Sequence, residues 1–434
     1  MKYDVIRSYW PAPIYSDGST LDLDFLTGAL DSRLTFTRSG TGTYINSSGY
    51  VTTASTNVAR FDYDPTTLAP RGLLIEGSAI NLINWSESFV TTGGAVNWNW
   101  SALNVTRGTV TTTAPTGSSA TVVKIEETNA LGIHAPLTQP AANASTVYTF
   151  SVFAKAAERT FVQLYENNGS SGSCMVNLST GAIVSEFFAG SATVTPYGTT
   201  GWYRISLKFT TSGIQTSANC QLRLSTDGST TSYTGTTGSG IYIWGAQLEL
   251  GSGASSYIST GASQVTRNAD SCLMSGTNFS NWFTTAGTFL IEHRLTNAFG
   301  STDRAQVGLG QYSPGTSAFA LFRTNATTVG AAVWGSGGTG YQEGTSVVSA
   351  RTPIRSGMTL DFTGATRSLR AFANGTTGAS LISTTGTISV DRMFIGSNGS
   401  GTSSTRDYQN GHIRSLKFWP SVLSNNELQA LTTP

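Results

Sequence analysis

The carboxylates are the first residues that could do chemistry. A glycosidase needs two carboxyl groups about 5–5.5 or 6.5–9.5 Å apart across the scissile bond. A β-strand supplies such a pair most simply at positions i and i+2, about 6.5 Å apart on one face. Asp22/Asp24 and Asp62/Asp64 have this spacing. Leu21, Leu23 and Phe25 alternate with the first pair, and Phe61 and Tyr63 with the second. The acids therefore read as a solvent or interface face, not as a catalytic pair. The acids of the C-terminal third, from Glu292 to Glu427, have no partner on their own strands. The three histidines, His134, His293 and His412, form neither H-E-x-x-H nor H-x₃₋₅-H, and Cys174, Cys220 and Cys272 lie far from any of them. Zinc and thiol chemistry have no support, and no cofactor or specific metal is implied. His293 alternates with Phe289 and Ile291, which suits a satisfied core or edge histidine. None of the five lysines follows a glycine and there is no G-x-S-x-G elbow, so no phosphate loop or hydrolase nucleophile is encoded in those forms. No catalytic residue is assigned.

Aromatic residues point to binding instead. Trp98 and Trp100 fall on one side of an extended Asn97–Trp100 segment. Trp334 and Tyr341 flank the loop Gly335–Gly340, whose glycines remove side-chain bulk, and Arg323 is close enough in sequence to pair with an acidic sugar. Rings stack on the apolar faces of sugars while small polar side chains bond their hydroxyls. The competing reading is that these tryptophans fill sandwich cores, and Trp334 does follow Ala331, Ala332 and Val333.

The elements that must position these residues are strands. Asp17-Gly18, Asp227-Gly228, Asn374-Gly375 and Asn398-Gly399 punctuate short alternating segments at sandwich-like spacing. In Trp202–Phe209, Tyr203, Ile205, Leu207 and Phe209 share one face, while Trp202, Arg204, Ser206 and Lys208 share the other, which reads as wet. The convincing helix lies at the C-terminus, where Ser424 and Glu427 form a capping box ahead of Leu428 and Leu431. The fold class expected is all-β: two antiparallel β-sandwiches in series with one short C-terminal helix. Composition divides the 434 residues into a charge-bearing, β-rich region (1–82) and two strand-rich blocks (83–262 and 271–434), each the size of one jelly-roll or lectin-like sandwich, with Gly251–Ser259 as a connector.

Charged residues make up 11% of the chain, against roughly 25% in ordinary soluble proteins, and the net charge is +1. No basic stripe suits nucleic acid, and no apolar run suits membrane insertion. The N-terminus lacks the apolar core of an export signal, so assembly in the cytoplasm is expected. Within residues 1–82, where charge is concentrated, Arg38, Arg60 and Arg71 are expected to pair with Asp24, Asp62 and Asp64 and to form an interface.

The pieces TFTR, TGTY, ARFDYDP and RGLLIE, in that order between residues 35 and 76, resemble a segment of tailed-bacteriophage virion proteins of the head-spike and tail-fibre kind. SVFAKAAERTFVQLY, GWYRISLKFT and IYIWGAQLELG resemble the carbohydrate-binding-module-like jelly rolls that follow that segment. The closing GHIRSLKFWPSVLSNNELQAL resembles a concanavalin A-like or laminin-G-like lectin domain. The resemblance implies a non-enzymatic structural protein on the virion surface, a trimer contacting capsid or tail proteins, with weak adhesion to host polysaccharide. A tailspike depolymerase and a cellular carbohydrate-binding adhesin are the alternatives.

Overall fold

The computed structural model describes residues 18–89, 100–168, 172–198, 200–295, 304–310, 318–323, 329–335, 338–344, 353–363, 367–377, 381–383, 390–397 and 408–433. The chain is all-β, with 53% strand and 5% helix. Short alternating segments separated by glycine-containing turns leave it no other regular structure. Among the described residues, no helix is long and apolar enough to cross a membrane.

The middle block is a sandwich of two six-stranded antiparallel sheets. One runs in the order Ala192–Tyr197, Trp202–Thr210, Val147–Ala156, Gly240–Leu250, Ser119–Glu127, Val105–Thr113. The other runs Ala182–Glu186, Ser173–Asn177, Phe161–Glu166, Cys220–Ser225, Ala135–Thr138, Ser101–Leu103. Phe150, Val152, Ile205 and Leu207 from the first meet Val162, Leu164, Leu222 and Leu224 from the second in one core.

The second sandwich is not built from residues 271–434 alone. Its nine-stranded sheet contains Leu21–Asp24, Phe61–Tyr63 and Pro70–Ile75, the first and third hydrogen-bonded to Gly411–Trp419. Its seven-stranded sheet begins with Thr35–Thr37, paired to Ser271–Ser275. Leu21, Leu23 and Phe25 sit in its core beside Phe289, Ile291 and Phe418. Burying each such side chain is worth about 1.5–3 kcal/mol, so this segment is part of the sandwich and not a detachable arm. The compositional boundary near residue 82 thus cuts through paired strands. Composition could not reveal this, because strand pairing over 350 residues leaves no local trace.

A third cluster explains another departure. The hairpin of Gly42–Ile45 and Val51–Ala54 lays Ile45 and Val51 on Phe153, Trp202, Trp244 and Tyr257. The face of Trp202–Thr210 expected to be wet is therefore covered, and Trp202 is buried. Its opposite face, with Ile205, Leu207 and Phe209, lies in the core as alternation indicated. Asn81 ties the layers further. Its side chain donates to Ala246 O and Ile258 O, and accepts from Ile83 N and Leu248 N. The C-terminal helix Asn425–Thr432 carries the expected capping box and buries Leu428 and Leu431.

Candidate functional site

The four N-terminal sequence pieces converge on one buried ionic hub. Arg38, of TFTR, donates to Asp270 at 3.1 Å and to the Ser55 carbonyl at 2.9 Å. Arg60, of ARFDYDP, donates to Glu76 at 2.7 Å, to Thr43 O at 2.9 Å and, by its other terminal nitrogen, to Asp270. Glu76, of RGLLIE, accepts from Ser256 N and Oγ in the connector, and Arg267 lies 3.6 Å away. Thr43, of TGTY, donates to Tyr257 O at 2.6 Å. Burial alone would raise the Glu76 carboxyl, but Arg267, Arg60 and the Ser256 donors hold it far below the usual carboxylate range. Two glycines allow close approach here, Gly42 beside the hub and Gly72 against the paired strand Gly411–Trp419. A Cβ on Gly42 would stand 3.1 Å from Arg38 Nε, and one on Gly72, at φ +101°, would stand 2.3 Å from the Ile413 carbonyl.

These contacts revise the pairing expected from sequence. Arg71 does pair with Asp64 at 2.9 Å and with Asp62 at 3.6 Å. Arg38 and Arg60 instead find Asp270 and Glu76 inside the chain, and neither is exposed to serve another protein. Asp24 accepts from Leu26 N and caps a short 3₁₀ turn. Asp62 is buried, accepting from Ile45 N at 2.6 Å and lying 2.8 Å from His412 Nε2. It is not on a solvent face, because the 42–54 hairpin and Gly411–Trp419 close over it. Asp22 is exposed, as expected, with Lys417 at 2.7 Å. His293 is a satisfied core histidine, with Ser356 Oγ and Gln409 Nε2 each at 3.0 Å.

An aromatic and amide surface lies on the middle sandwich. On Phe161–Glu166, Val162 and Leu164 enter the core, so Phe161, Gln163 and Tyr165 occupy the other side of the sheet. Register places Gln163 between Arg223 and Met175, and Tyr165 between Gln221 and Ser173. The Arg223 guanidinium stacks over the Tyr165 ring at 3.6 Å and donates to Gln221 Oε1 at 2.7 Å. Burial pulls the Arg223 pKa below its ordinary value, against the pull of Tyr165. Gln163 Oε1 is buried and has no hydrogen-bond partner in the protein. Gln221 is buried, with its amide engaged by Asn219 and Arg223, so the groups left to meet a hydroxylated ligand are the half-buried Tyr165 ring and the Arg223 guanidinium stacked on it. The alternation of this strand is legible in the sequence, but the partners that Arg223 and Tyr165 find across it are not. The i, i+2 set Phe161, Gln163, Tyr165 was the available signal.

Of the aromatic residues singled out from sequence, Trp100 is a core residue, 4.7 Å from Phe89 between ring centroids. It sits in the core because the following strand joins the second sheet of the sandwich, and Trp98 lies outside the described residues. The backbone around Trp334 and Tyr341 is a hairpin, Val329–Gly335 with Gly338–Gly344, so most of the expected glycine loop is strand. Trp334 pairs with Thr339 and Tyr341 with Ala332, which puts both at positions alternating with the core residues Val329 and Ala331. Arg323 pairs with Val329, in the other register set. The side chains of Arg323, Trp334 and Tyr341 lie outside the described structure.

No family model matches the chain, and no curated protein matches it. Solved structures do. The carbohydrate-binding module (CBM40) of the Ruminococcus gnavus IT-sialidase is 22% identical, over 35% of this chain and 84% of that one, with a TM-score of 0.29. A candidate carbohydrate-binding protein from Bacteroides ovatus ATCC 8483 is 11% identical, over 68% and 82%, with a TM-score of 0.25. Domains LG4-5 of the mouse laminin α1 chain are 10% identical, over 64% and 83%, with a TM-score of 0.22. These scores are too low to carry the fold, which rests on the sheets described above.

Proposed function

We propose that this is a non-enzymatic structural protein displayed on the surface of a tailed-phage particle, as a head or tail spike or fibre, and that it adheres weakly to host polysaccharide. The observation that carries the binding part is the outward sheet face where Arg223 stacks on Tyr165 beside Gln163 and Gln221. The display part rests on the four N-terminal sequence pieces. Their role in this reading is to weld the two sandwiches into one rigid unit suited to a particle surface. The state of the hub's acids fits a non-enzymatic role. Glu76 and Asp270 are locked between arginines, and Glu76 is held too acidic to exchange protons near neutral pH. Trp334 and Tyr341 are a second expected glycan contact. Single sites of this kind are weak, so adhesion relies on several copies acting together.

The copies are expected to associate as trimers and to contact other virion proteins. The sheet edge at Ala182–Glu186, with Val184, Phe187 and Phe188 each about half exposed, is where contact between copies is expected. Immunogold labelling of intact particles tests display, and a glycan array comparing the full chain with Arg223→Ala and Trp334→Ala tests adhesion. Binding lost in the folded Arg223→Ala protein is the expected result. A full chain that binds no polysaccharide at all overturns the adhesive reading.

A further inference from the structure

The charge on the Tyr165–Arg223 face is unmatched. Most arginines of the described residues sit against carboxylates. Arg159 forks onto Glu127, Arg71 reaches Asp62 and Asp64, and Arg355 and Arg414 share Glu292. Arg223 has no such partner among the described residues, and what acts on its charge is burial and Tyr165. The sheet around it supplies no acid. Gln163, Met175 and Ser185 follow it in register across three strands, and all are uncharged. The nearest acid in sequence, Asp227, accepts instead from Ser229 N, Thr230 N and the Thr230 hydroxyl. Glu166, next to Tyr165, faces the other side of its strand, where it is buried and accepts from Asn168 N, Asn219 N and Gln215 Nε2.

The guanidinium is also held in place. The Tyr165 ring covers one of its faces at 3.6 Å, and Nε donates to Gln221 Oε1 at 2.7 Å. Its two terminal nitrogens have no carboxylate, carbonyl or amide acceptor among the described residues. Neither is closed off from solvent, because the side chain is half-buried and neither belongs to the buried atoms left without a partner. Together they present the end-on fork of an arginine, which matches the two oxygens of a carboxylate.

A cation partly withdrawn from water without a counter-charge is costly. The hydroxyls of a neutral sugar bring no charge and would leave that cost in place, whereas a carboxylate removes it. A phosphate or sulfate has more oxygens than one guanidinium serves, and no second cation stands beside Arg223 in register. We infer that the ligand of this face is an acidic polysaccharide whose sugar units bear a carboxylate. Arg223 takes that carboxylate end-on, and a neighbouring sugar face packs on the exposed part of the Tyr165 ring. This rests on the adhesive reading above and narrows it to one class of ligand.

The probes are carboxylate-bearing polysaccharides arrayed beside the same polysaccharides with their carboxyls reduced to hydroxymethyl groups, so that each pair differs only there. The full chain is expected to bind the acidic member of a pair about tenfold or more tightly than the reduced one, the size of a charge-assisted hydrogen bond. Folded Arg223→Gln should bring the acidic member down to the level of the reduced one, whereas a merely structural role would weaken both alike. Arg223→Lys keeps the charge without the fork, should keep only part of the preference, and serves if Arg223→Gln does not fold. A parent that binds both members equally, or a folded Arg223→Gln or Arg223→Lys that keeps the full preference, overturns this inference and leaves weak adhesion in place. A parent that binds neither member of any pair, nor any neutral polysaccharide, overturns the adhesive reading and this inference with it.

Discussion

Replacing Asp270 by Asn is the sharpest probe of the buried hub. The substitution keeps the shape of the side chain and removes one negative charge. Asp270 accepts from Arg38, from Arg60 and, at 2.8 Å, from the backbone N–H of Glu76. Without that charge, Arg38 loses its ion-pair partner, and Glu76 is left as the carboxylate paired with Arg60 and Arg267. The Arg38 pKa is already below its ordinary value, through burial and the repulsion of Arg60. Breaking a buried ion pair from one side costs about 3–5 kcal/mol, because the remaining charge stays buried and unpaired. Urea unfolding followed by tryptophan fluorescence should show a loss of that size. Adding Arg38→Met to Asp270→Asn should restore part of it, giving a coupling of roughly 0.5–3 kcal/mol in a double-mutant cycle. An Asp270→Asn protein within about 0.5 kcal/mol of the parent, the range of ordinary surface substitutions, would refute the hub as a structural clamp.

Acidification should destabilise the fold in two stages, read as melting temperature against pH. His412 is depressed from 6.5, so the unfolded chain takes up a proton that the folded one refuses; stability is full above 6.5 and falls as pH drops below it. Glu76, depressed from 4.5, and Asp64, lowered from 3.8 to about 2, add a steeper loss below about pH 4.5, which Glu249, raised by burial, partly offsets. Gly72→Ala must place a Cβ 2.3 Å from the Ile413 carbonyl at φ +101°, so it should fold poorly, as measured by soluble yield and melting temperature. The buried thiols of Cys174, Cys220 and Cys272, with Cys174 pushed up to about 12, should resist a thiol reagent in the native protein and react on unfolding. Phe187→Ser with Phe188→Ser should lower the oligomeric mass seen by light scattering.

What the sequence revealed was local. Turn dipeptides and two-residue alternation located strands such as Trp202–Thr210, and the Ser424/Glu427 box located the C-terminal helix, because both signals lie within a few residues. The identity of what covers a strand was not legible. Arg204 and Ser206 looked solvent-facing since nothing nearby in sequence says that a hairpin around residues 42–54 packs over that sheet. In the same way, Arg38 and Arg60 had plausible partners close in sequence, yet paired with Glu76 and Asp270, the latter over 200 residues distant. A chain this poor in charge buries much of what it has, which composition alone reads as surface.

Methionine methyl resonances give the most direct test of the adhesive surface. Met175 is buried but sits in register beside Gln163, next to the Tyr165–Arg223 pair, while Met274, Met358 and Met393 lie in the core of the second sandwich. With methyl-labelled full chain titrated with a polysaccharide that it binds, the Met175 signal should shift with saturation while those three stay fixed. A saturating titration that leaves Met175 unmoved and shifts the methyls of the second sandwich would contradict the account.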